Sequence, residues 1–566
     1  LTGTSVEYGS DLVMSLLLEA GIDTITFNPG FSVKGITDSL AHFGSEFRAI
    51  MCPQEGVAVA AAHAYAKATG KPMAVILHNI VGLQNGTMAI FDAWCDRVPM
   101  IVLGGTGPLS KEDRRPWIDW IHSAHDQGAQ IREYTKWDDQ PLDVESVPES
   151  FWRAWQTSVA VPQGPVYVCF DTSVQDAPIG SSASTHWRKL NNAPTSPALS
   201  REHAQSVASR LASATLPVIV TDFAGETLEG FNSIRELSEL LECPVVDCGA
   251  RFNFPTNHRL NFSYLEEKVV PQADLILAID VEDRDGRVLP HIRPETEVIW
   301  ISPAHLRIRS WSQDYLKLPR ASEQITSAAA PALKAILQEI VHFPDVAEQS
   351  GRRRAQIEGV VDQARAQWRQ DVSTQTGISL ATLAATMKTV LSELDWTLVT
   401  GSMYGWDKKL IDMTKHRAHL GGEGGGGCGY MPGAAIGGAI GLSDGSVPVA
   451  VISDGDLLFC PSALWTIANQ NLPMLIIMDN NRAYKNTLAH GQRVATRRGR
   501  AEANALLGNV FTDPKIDFAA MARSYGLEAF GPIERLEDLE STLRKAMDIV
   551  RSGRPALVDV VTELVI

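Results

Sequence analysis

Residues 447–487 read VPVAVISDGDLLFCPSALWTIANQNLPMLIIMDNNRAYKNT. An apolar run, 447–452, breaks at Ser453-Asp454-Gly455, a helical pattern follows to about Gln470, and a second apolar run, 472–478, ends in Asp479-Asn480-Asn481. This pattern predicts strand, helix and parallel strand. Both strand ends then face the same way, so Asp454 and Asn481 meet in the crevice where open parallel sheets bind ligands.

One carboxylate, one amide oxygen and a nearby main-chain carbonyl suit a hard divalent cation such as Mg²⁺, which takes its other ligands from water and phosphate. Gly455 has no Cβ and lets phosphate oxygens reach the N–H groups that open the next helix. Either Asp-Gly or Asn-Asn alone is an ordinary turn signal. The pair, 27 positions apart from Asp454 to Asn481 with Tyr484 just beyond, predicts a site for a metal diphosphate.

Working outward, 566 residues are enough for about three or four domains, each with its own core. A composition 45% hydrophobic and 20% charged is that of a globular protein. No stretch reads as a signal peptide, and none reaches the ~18–20 apolar residues of a membrane helix, so a cytoplasmic protein without a membrane partner is expected. The seven cysteines include no CxxC pair, which points to buried thiols rather than a disulfide framework or zinc site. A net charge of −16 argues against a nucleic-acid partner.

Strand-like runs at 22–27, 48–51, 73–77, 100–103 and 166–170, with helical patterns at 6–20, 55–69 and 83–94, make residues 1–180 one α/β domain. A Ser/Ala/Pro/Asn-rich segment, 176–199, reads as a linker. Strand runs at 216–220, 244–246, 275–279 and 298–301 define a central domain over 195–345. The charged segment 352–369 reads as a helical connector, its three arginines at 352–354 as a solvated face. A third α/β domain, 375–566, holds the opening stretch.

The first domain contains MCPQEGVAVAAAHAYAKATGKPMAVILHNIVGLQNGTMAIFDAWCDRVPMIVL, in which Glu55 follows a strand and opens a helix. The run from Glu55 to Gly70, the His at a strand end and the following G-x-x-N resemble the pyrimidine-binding domain of thiamine diphosphate (ThDP) enzymes, the 2-oxo acid decarboxylases and acetolactate synthases. The glycine-rich GGEGGGGCGYMPGAAIGGAIG at 421–441 and the opening stretch complete the resemblance in family order along essentially the whole chain. It implies three doubly wound Rossmann-like domains with parallel sheets, for pyrimidine, central and diphosphate functions. ThDP and Mg²⁺ are the implied cofactors.

The resemblance also implies roles. Glu55 matches the glutamate that shares a proton with the aminopyrimidine, and Asp454, Asn481 and the Ala483 main-chain carbonyl match the Mg²⁺ ligands. Gly455 and Asp456 would cradle the diphosphate. Ser402, Gly427, Cys428, Tyr430 and Tyr484 line the cofactor, Cys428 standing where a large Leu or Met wedges it and Tyr430 or Met431 compensating. His78 matches a catalytic histidine of benzoylformate decarboxylase, the member that 76–94 most resembles. Phe31, Gln84, Asn85 and Trp406 are candidate substrate contacts, although Phe31 replaces a serine. Glu55 and Asp454 are expected to complete one site across a subunit interface, giving a homodimer at minimum and a homotetramer as the commoner state.

The expected activity is decarboxylation or lyase chemistry on a 2-oxo acid or related small carbonyl substrate, with carboligase capacity. The alternatives are an acetolactate synthase-like transferase, an FAD-containing oxidase and a non-catalytic relative. The basic segment after the metal motif, with Lys485, His490, Arg493, Arg497, Arg498 and Arg500, favours an anionic substrate.

Overall fold

The computed structural model describes residues 4–179, 193–283, 286, 291–304, 320–401, 407–442 and 445–564. Among these, three parallel sheets build three α/β domains. The first sheet contains β1 (Thr24–Phe27), β2 (Arg48–Met51), β3 (Met73–Leu77), β4 (Met100–Thr106), β5 (Trp137–Asp139) and β6 (Pro165–Asp171), in the order β2-β1-β3-β4-β6-β5. The second contains β7 (Pro217–Thr221), β8 (Val245–Asp247), β9 (Leu275–Ile279), β10 (Glu297–Ser302) and β11 (Glu323–Thr326), ordered β11-β10-β9-β7-β8. The third contains β12 (Trp396–Thr400), β13 (Val447–Ser453), β14 (Leu475–Asn480), β15 (Glu528–Ile533) and β16 (Ala556–Val561), ordered β12-β13-β14-β16-β15.

Central strands such as β3, β4, β7 and β9 are buried along their whole length. Their unbroken apolar runs are what helices on both faces of a parallel sheet require. The edge strands β5 (WDD) and β11 (EQIT) are short and polar and left no apolar signal in the sequence.

The helical pattern after Asp454 divides into two helices, Asp454–Phe459 and Ala463–Asn469, with Pro461 between them. Proline has no N–H to continue the ladder. The connector at 352–369 is likewise two helices, Val346–Ile357 and Val360–Ser373, parted by Gly359 at φ +76°. Its arginines are not all solvated. Arg353 is fully buried and donates to the carbonyls of Leu241 at 3.0 Å, Leu211 at 2.9 Å and Ala214 at 2.6 Å, near the ends of two helices. The expected linker at 176–199 crosses residues 180–192, which lie outside the described residues.

The first and third domains are locked together by two helices. Glu55–Thr69 is rich in alanine, and Tyr430–Gly441 places glycines against it. A Cβ at Gly433 would lie 2.8 Å from the Val57 carbonyl oxygen, and one at Gly437 would lie 1.7 Å from that of Ala61. Only glycine lets the backbones approach so closely. No helix among the described residues is long and apolar enough to cross a membrane.

Candidate active site

In the third domain β13 and β14 run in parallel with Ser453 opposite Asp479, so Asp454 and Asn481 leave neighbouring strand ends as the sequence predicts. Asp454 is 1% exposed; its Oδ1 accepts the Gly455 N–H at 2.7 Å, and its Oδ2 has no partner. Burial, reinforced by Asp479, pushes its carboxyl up to about 7, while the hydrogen bond from the Gly455 N–H opposes the shift. Asn481 Oδ1 accepts the Ala483 N–H at 3.0 Å, forming a tight turn beside the carboxylate. A buried, unpartnered carboxylate oxygen next to an amide and a main-chain turn is a poor arrangement by itself and a good one for a hard cation. These residues fit Mg²⁺.

Tyr484 packs over the next glycine: a Cβ at Gly455 would lie 2.7 Å from its ring. Asp456 turns away from this corner. Its Oδ1 accepts the N–H groups of Gly429 at 2.9 Å and Met431 at 3.1 Å, so it caps the helix Tyr430–Gly441. From the first domain, Asp92 Oδ1 accepts the Gly427 N–H at 3.3 Å. The glycine-rich loop is thus held from both sides, and Cys428 is its exposed side chain. Burial first, then Asp456, Glu423 and Asp92, raise the Cys428 thiol pKa and keep it protonated. Tyr430 and Met431 do not share its position: both are 3% exposed, and Tyr430 packs on His63 with ring centroids 4.8 Å apart. They belong to the contact between domains.

In the first domain Glu55 opens its helix behind the N-cap Gln54, whose side chain accepts the Val57 N–H at 2.8 Å. Glu55 is 7% exposed, and Asn85 Nδ2 donates to its Oε2 at 3.2 Å. His78 follows β3. A Cβ at Gly82 would lie 2.8 Å from His78 Cβ and 3.0 Å from Glu55 Oε1, so glycine allows both side chains to border the same space. His78 Nδ1 lies 2.8 Å from Ser32 Oγ, and its ring stacks with that of His122 at 6.0 Å. Burial, with His122 and Arg115 as weaker causes, holds the His78 pKa below the usual 6.5.

Phe31 points elsewhere. It is 37% exposed and covered by the Arg115 guanidinium 3.2 Å from its ring centroid. The short 3₁₀ turn Phe31–Val33 sends Ser32, not Phe31, toward His78. Gln84 is exposed on the helix beside Asn85. Ser402 and Trp406 lie outside the described residues. Arg493, Arg497, Arg498 and Arg500 are exposed.

The sequence reading also missed Ser32, His122 and Asp92. Ser32 and His122 stood only in the SVKG and WIDWIH contexts, neither of which says which way a turn faces, and Asp92 stood within the helix IFDAW, where nothing marked it as a partner of the glycine-rich loop. Within the chain the first and third domains touch at further points. Besides the Asp92 contact, Thr466 Oγ1 donates to the Met51 carbonyl at 3.1 Å, and Arg417 donates to the Ala68 carbonyl at 2.6 Å.

Residues 8–131 match the family described as thiamine pyrophosphate enzyme, N-terminal TPP binding domain, and 399–560 match its C-terminal TPP binding domain, together just over half the chain. Over 571 residues the chain is 25% identical to benzoylformate decarboxylase of Pseudomonas aeruginosa, covering 97% of this chain and 98% of that one. It is 22% identical to the large subunit of acetolactate synthase isozyme 1 of Escherichia coli, over 98% of this chain and 93% of that one. In structure it is similar to the thiamine diphosphate-dependent 4-hydroxybenzoylformate decarboxylase of Rhodococcus jostii RHA1, with a TM-score of 0.78, 22% identity, and coverage of 98% of this chain and 99% of that one.

Proposed function

Because the chain belongs to the thiamine pyrophosphate enzyme family, we propose that it is a ThDP- and Mg²⁺-dependent enzyme acting on the carbonyl of a 2-oxo acid or related donor. In this reading it is chiefly a decarboxylase of the benzoylformate decarboxylase kind, with carboligase capacity. ThDP, when bound, supplies a carbon nucleophile and a sink for the electron pair of the broken C–C bond. Asp454, Asn481 and the Ala483 carbonyl would hold the metal, and the N–H groups at Gly455 and Asp456 would receive the diphosphate. Glu55 would hold the proton shared with the aminopyrimidine.

The observation that carries the decarboxylase reading is the placement of His78 against Ser32 and across Gly82 from Glu55. With Nδ1 engaged by the hydroxyl, Nε2 is the atom that exchanges a proton with a reacting group. An acetolactate synthase-type transferase is the second reading, supported by the near full-length likeness to such a subunit. The assembly proposed is a homotetramer built from homodimers, in the cytoplasm, to be checked by native mass measurement.

The deciding experiment incubates the protein, with ThDP and Mg²⁺, with pyruvate, benzoylformate or branched 2-oxo acids, each with and without an aldehyde, and identifies products by mass spectrometry. Free aldehyde as the main product supports the decarboxylase. A hydroxyketone as the main product supports the transferase. Tight ThDP binding with no 2-oxo acid consumed would remove this donor class.

A further inference from the structure

The segment after β4 brings a second histidine to His78. Its short helix, Ile118–Ile121, opens behind Trp117 at φ +51°, a left-handed conformation uncommon for a residue with a Cβ. Such backbone persists only where its surroundings over-determine it. Here the turn is closed by Asp119, 4% exposed: its Oδ2 accepts the Arg115 N–H at 2.7 Å, and its Oδ1 holds the Arg115 guanidinium. That guanidinium lies over Phe31, the neighbour of Ser32. The clamped turn ends in His122, half-buried, whose ring stacks on that of His78 with centroids 6.0 Å apart and planes 28° from parallel.

The tautomer of His122 follows from its partner. Nδ1 lies 3.3 Å from the Ile118 carbonyl oxygen, which also accepts the His122 backbone N–H at 3.0 Å. A carbonyl only accepts, so the neutral ring keeps its proton on Nδ1 and presents a lone pair at Nε2. His78 presents the same atom when its Nδ1–H donates to Ser32 Oγ. Apart from exposed residues of the same segment, the charged groups around the two rings are Arg115, offset by Asp119, Lys34, which also lies over Phe31, and Glu55 across Gly82 from His78. Two imidazoles this close hold one shared proton more readily than one each.

We propose that His122 is the proton-supplying partner of His78: its Nε2 takes a proton from solvent and passes it, through a bridging water, to Nε2 of His78, which delivers it to the carbon that loses CO2. The proposal rests on the reading of the chain as a ThDP enzyme that decarboxylates a 2-oxo acid, and adds the residue that recharges its histidine. In the delivery a His78 N–H bond breaks and a C–H bond forms, and the electron pair of the N–H bond stays on the ring nitrogen. The sum is one solvent proton consumed as the 2-oxo acid anion becomes aldehyde and CO2, with both imidazoles neutral again. A carbon left unprotonated stays open to capture by an aldehyde, so the supply of protons also sets the share of aldehyde against hydroxyketone. Because it acts through His78, His122 is a positioning residue for the reacting proton.

The test uses the full chain loaded with ThDP and Mg²⁺, with His122→Gln, which keeps a polar side chain that cannot carry the proton, and His122→Leu, which fills the space without a polar group. His125→Gln, at an exposed position, is the control. Given a 2-oxo acid and an aldehyde acceptor, both His122 variants should form free aldehyde at least about tenfold more slowly through kcat, with KM changed by less than about threefold, and the hydroxyketone share of the product should rise. ThDP affinity by calorimetry and melting temperature should stay near those of the wild type. A second arm needs no turnover: NMR of protein carrying ¹³C in its histidine rings, with the His78 and His122 signals assigned from their variants. Burial first, then His122, then Arg115 hold the His78 pKa below 6.5, so in His122→Gln the His78 titration should move up.

Wild-type kcat and product share in both His122 variants overturn the proposal and leave the decarboxylase reading standing. A parallel fall of rate and ThDP affinity with an unchanged product share also overturns it, since that is how a residue that only packs would behave. So does a His78 titration that stays in place in His122→Gln. If the wild type binds ThDP but consumes no 2-oxo acid, the decarboxylase reading falls and takes the delivery to carbon with it; a His78 titration that still rises in His122→Gln then supports the proton pair by itself.

Discussion

Ser32 Oγ lies 2.8 Å from His78 Nδ1, and the imidazole of that pair packs on the Gly30 backbone. A Cβ at Gly30 would lie 2.4 Å from His78 Cγ, so the ring rests directly on the Gly30 backbone. With Nδ1 engaged by the hydroxyl, Nε2 is the ring nitrogen left for the proton transfer proposed for His78. Beside Phe31, position 32 carries a serine, and it is this hydroxyl that meets His78.

The pH dependence of turnover should follow from this pair. Burial holds the His78 pKa below 6.5, so the imidazole stays neutral down to a lower pH than an ordinary histidine. If neutral His78 is the working form, kcat loses activity only as pH falls below 6.5, and Ser32→Ala lowers kcat by about 10-fold or more and shifts that acid limb. A pH–rate profile checks both, and an acid limb above 6.5 in the wild type would contradict the assignment of His78.

Glu55→Gln keeps the length and the hydrogen bond to Asn85 and removes the carboxylate. Turnover is expected to drop by about 100-fold or more, with ThDP affinity and melting temperature nearly unchanged. Calorimetric titration with ThDP beside a rate assay measures this; wild-type rates in the variant would refute the role of Glu55.

Asp454→Ala is expected to act on binding. Removing the one buried carboxylate with an unpartnered oxygen at the β13–β14 corner should weaken ThDP–Mg²⁺ affinity by about 100-fold or more. It should not unfold the metal-free protein, because it also removes a carboxyl whose burial is uncompensated. Chelation of Mg²⁺ from the wild type should reproduce the loss of affinity. Unchanged affinity in either case ends the metal assignment.

Gly437→Ala tests how the halves are joined. Its Cβ would lie 1.7 Å from the Ala61 carbonyl oxygen, a backbone atom that cannot swing aside. The two helices must separate, at a cost of about 3 kcal/mol or more. Chemical denaturation should show the loss. Gly422→Ala, with open space around it, is the control and should change stability little.

Much of the site was legible in the chain because strand ends and helix starts follow from local pattern. Asp454 and Asn481 had to emerge together once two parallel strands were read from 447–478, and the register Ser453 to Asp479 places them so. Glu55 likewise had to stand at a helix start after β2. The alanines and glycines of 55–69 and 430–441 were visible as small residues, but their purpose was not. That purpose is a backbone contact between segments far apart in the chain, which no local pattern encodes.

Sequence by itself therefore determined the family, through the resemblance of its motifs, and also the three α/β domains and the oxygen and carboxylate groups at the ends of their strands, since these last depend on periodicity and spacing along the chain. Tertiary structure alone decided which side chains face one another. The 3₁₀ turn at Phe31–Val33 exchanged Phe31 for Ser32, Asp456 turned from the metal corner to cap a helix, and Arg353 left a charged face for the interior. Each outcome depends on where buried polar groups find partners across the fold, and burial makes an unpaired group costly enough to override the local pattern.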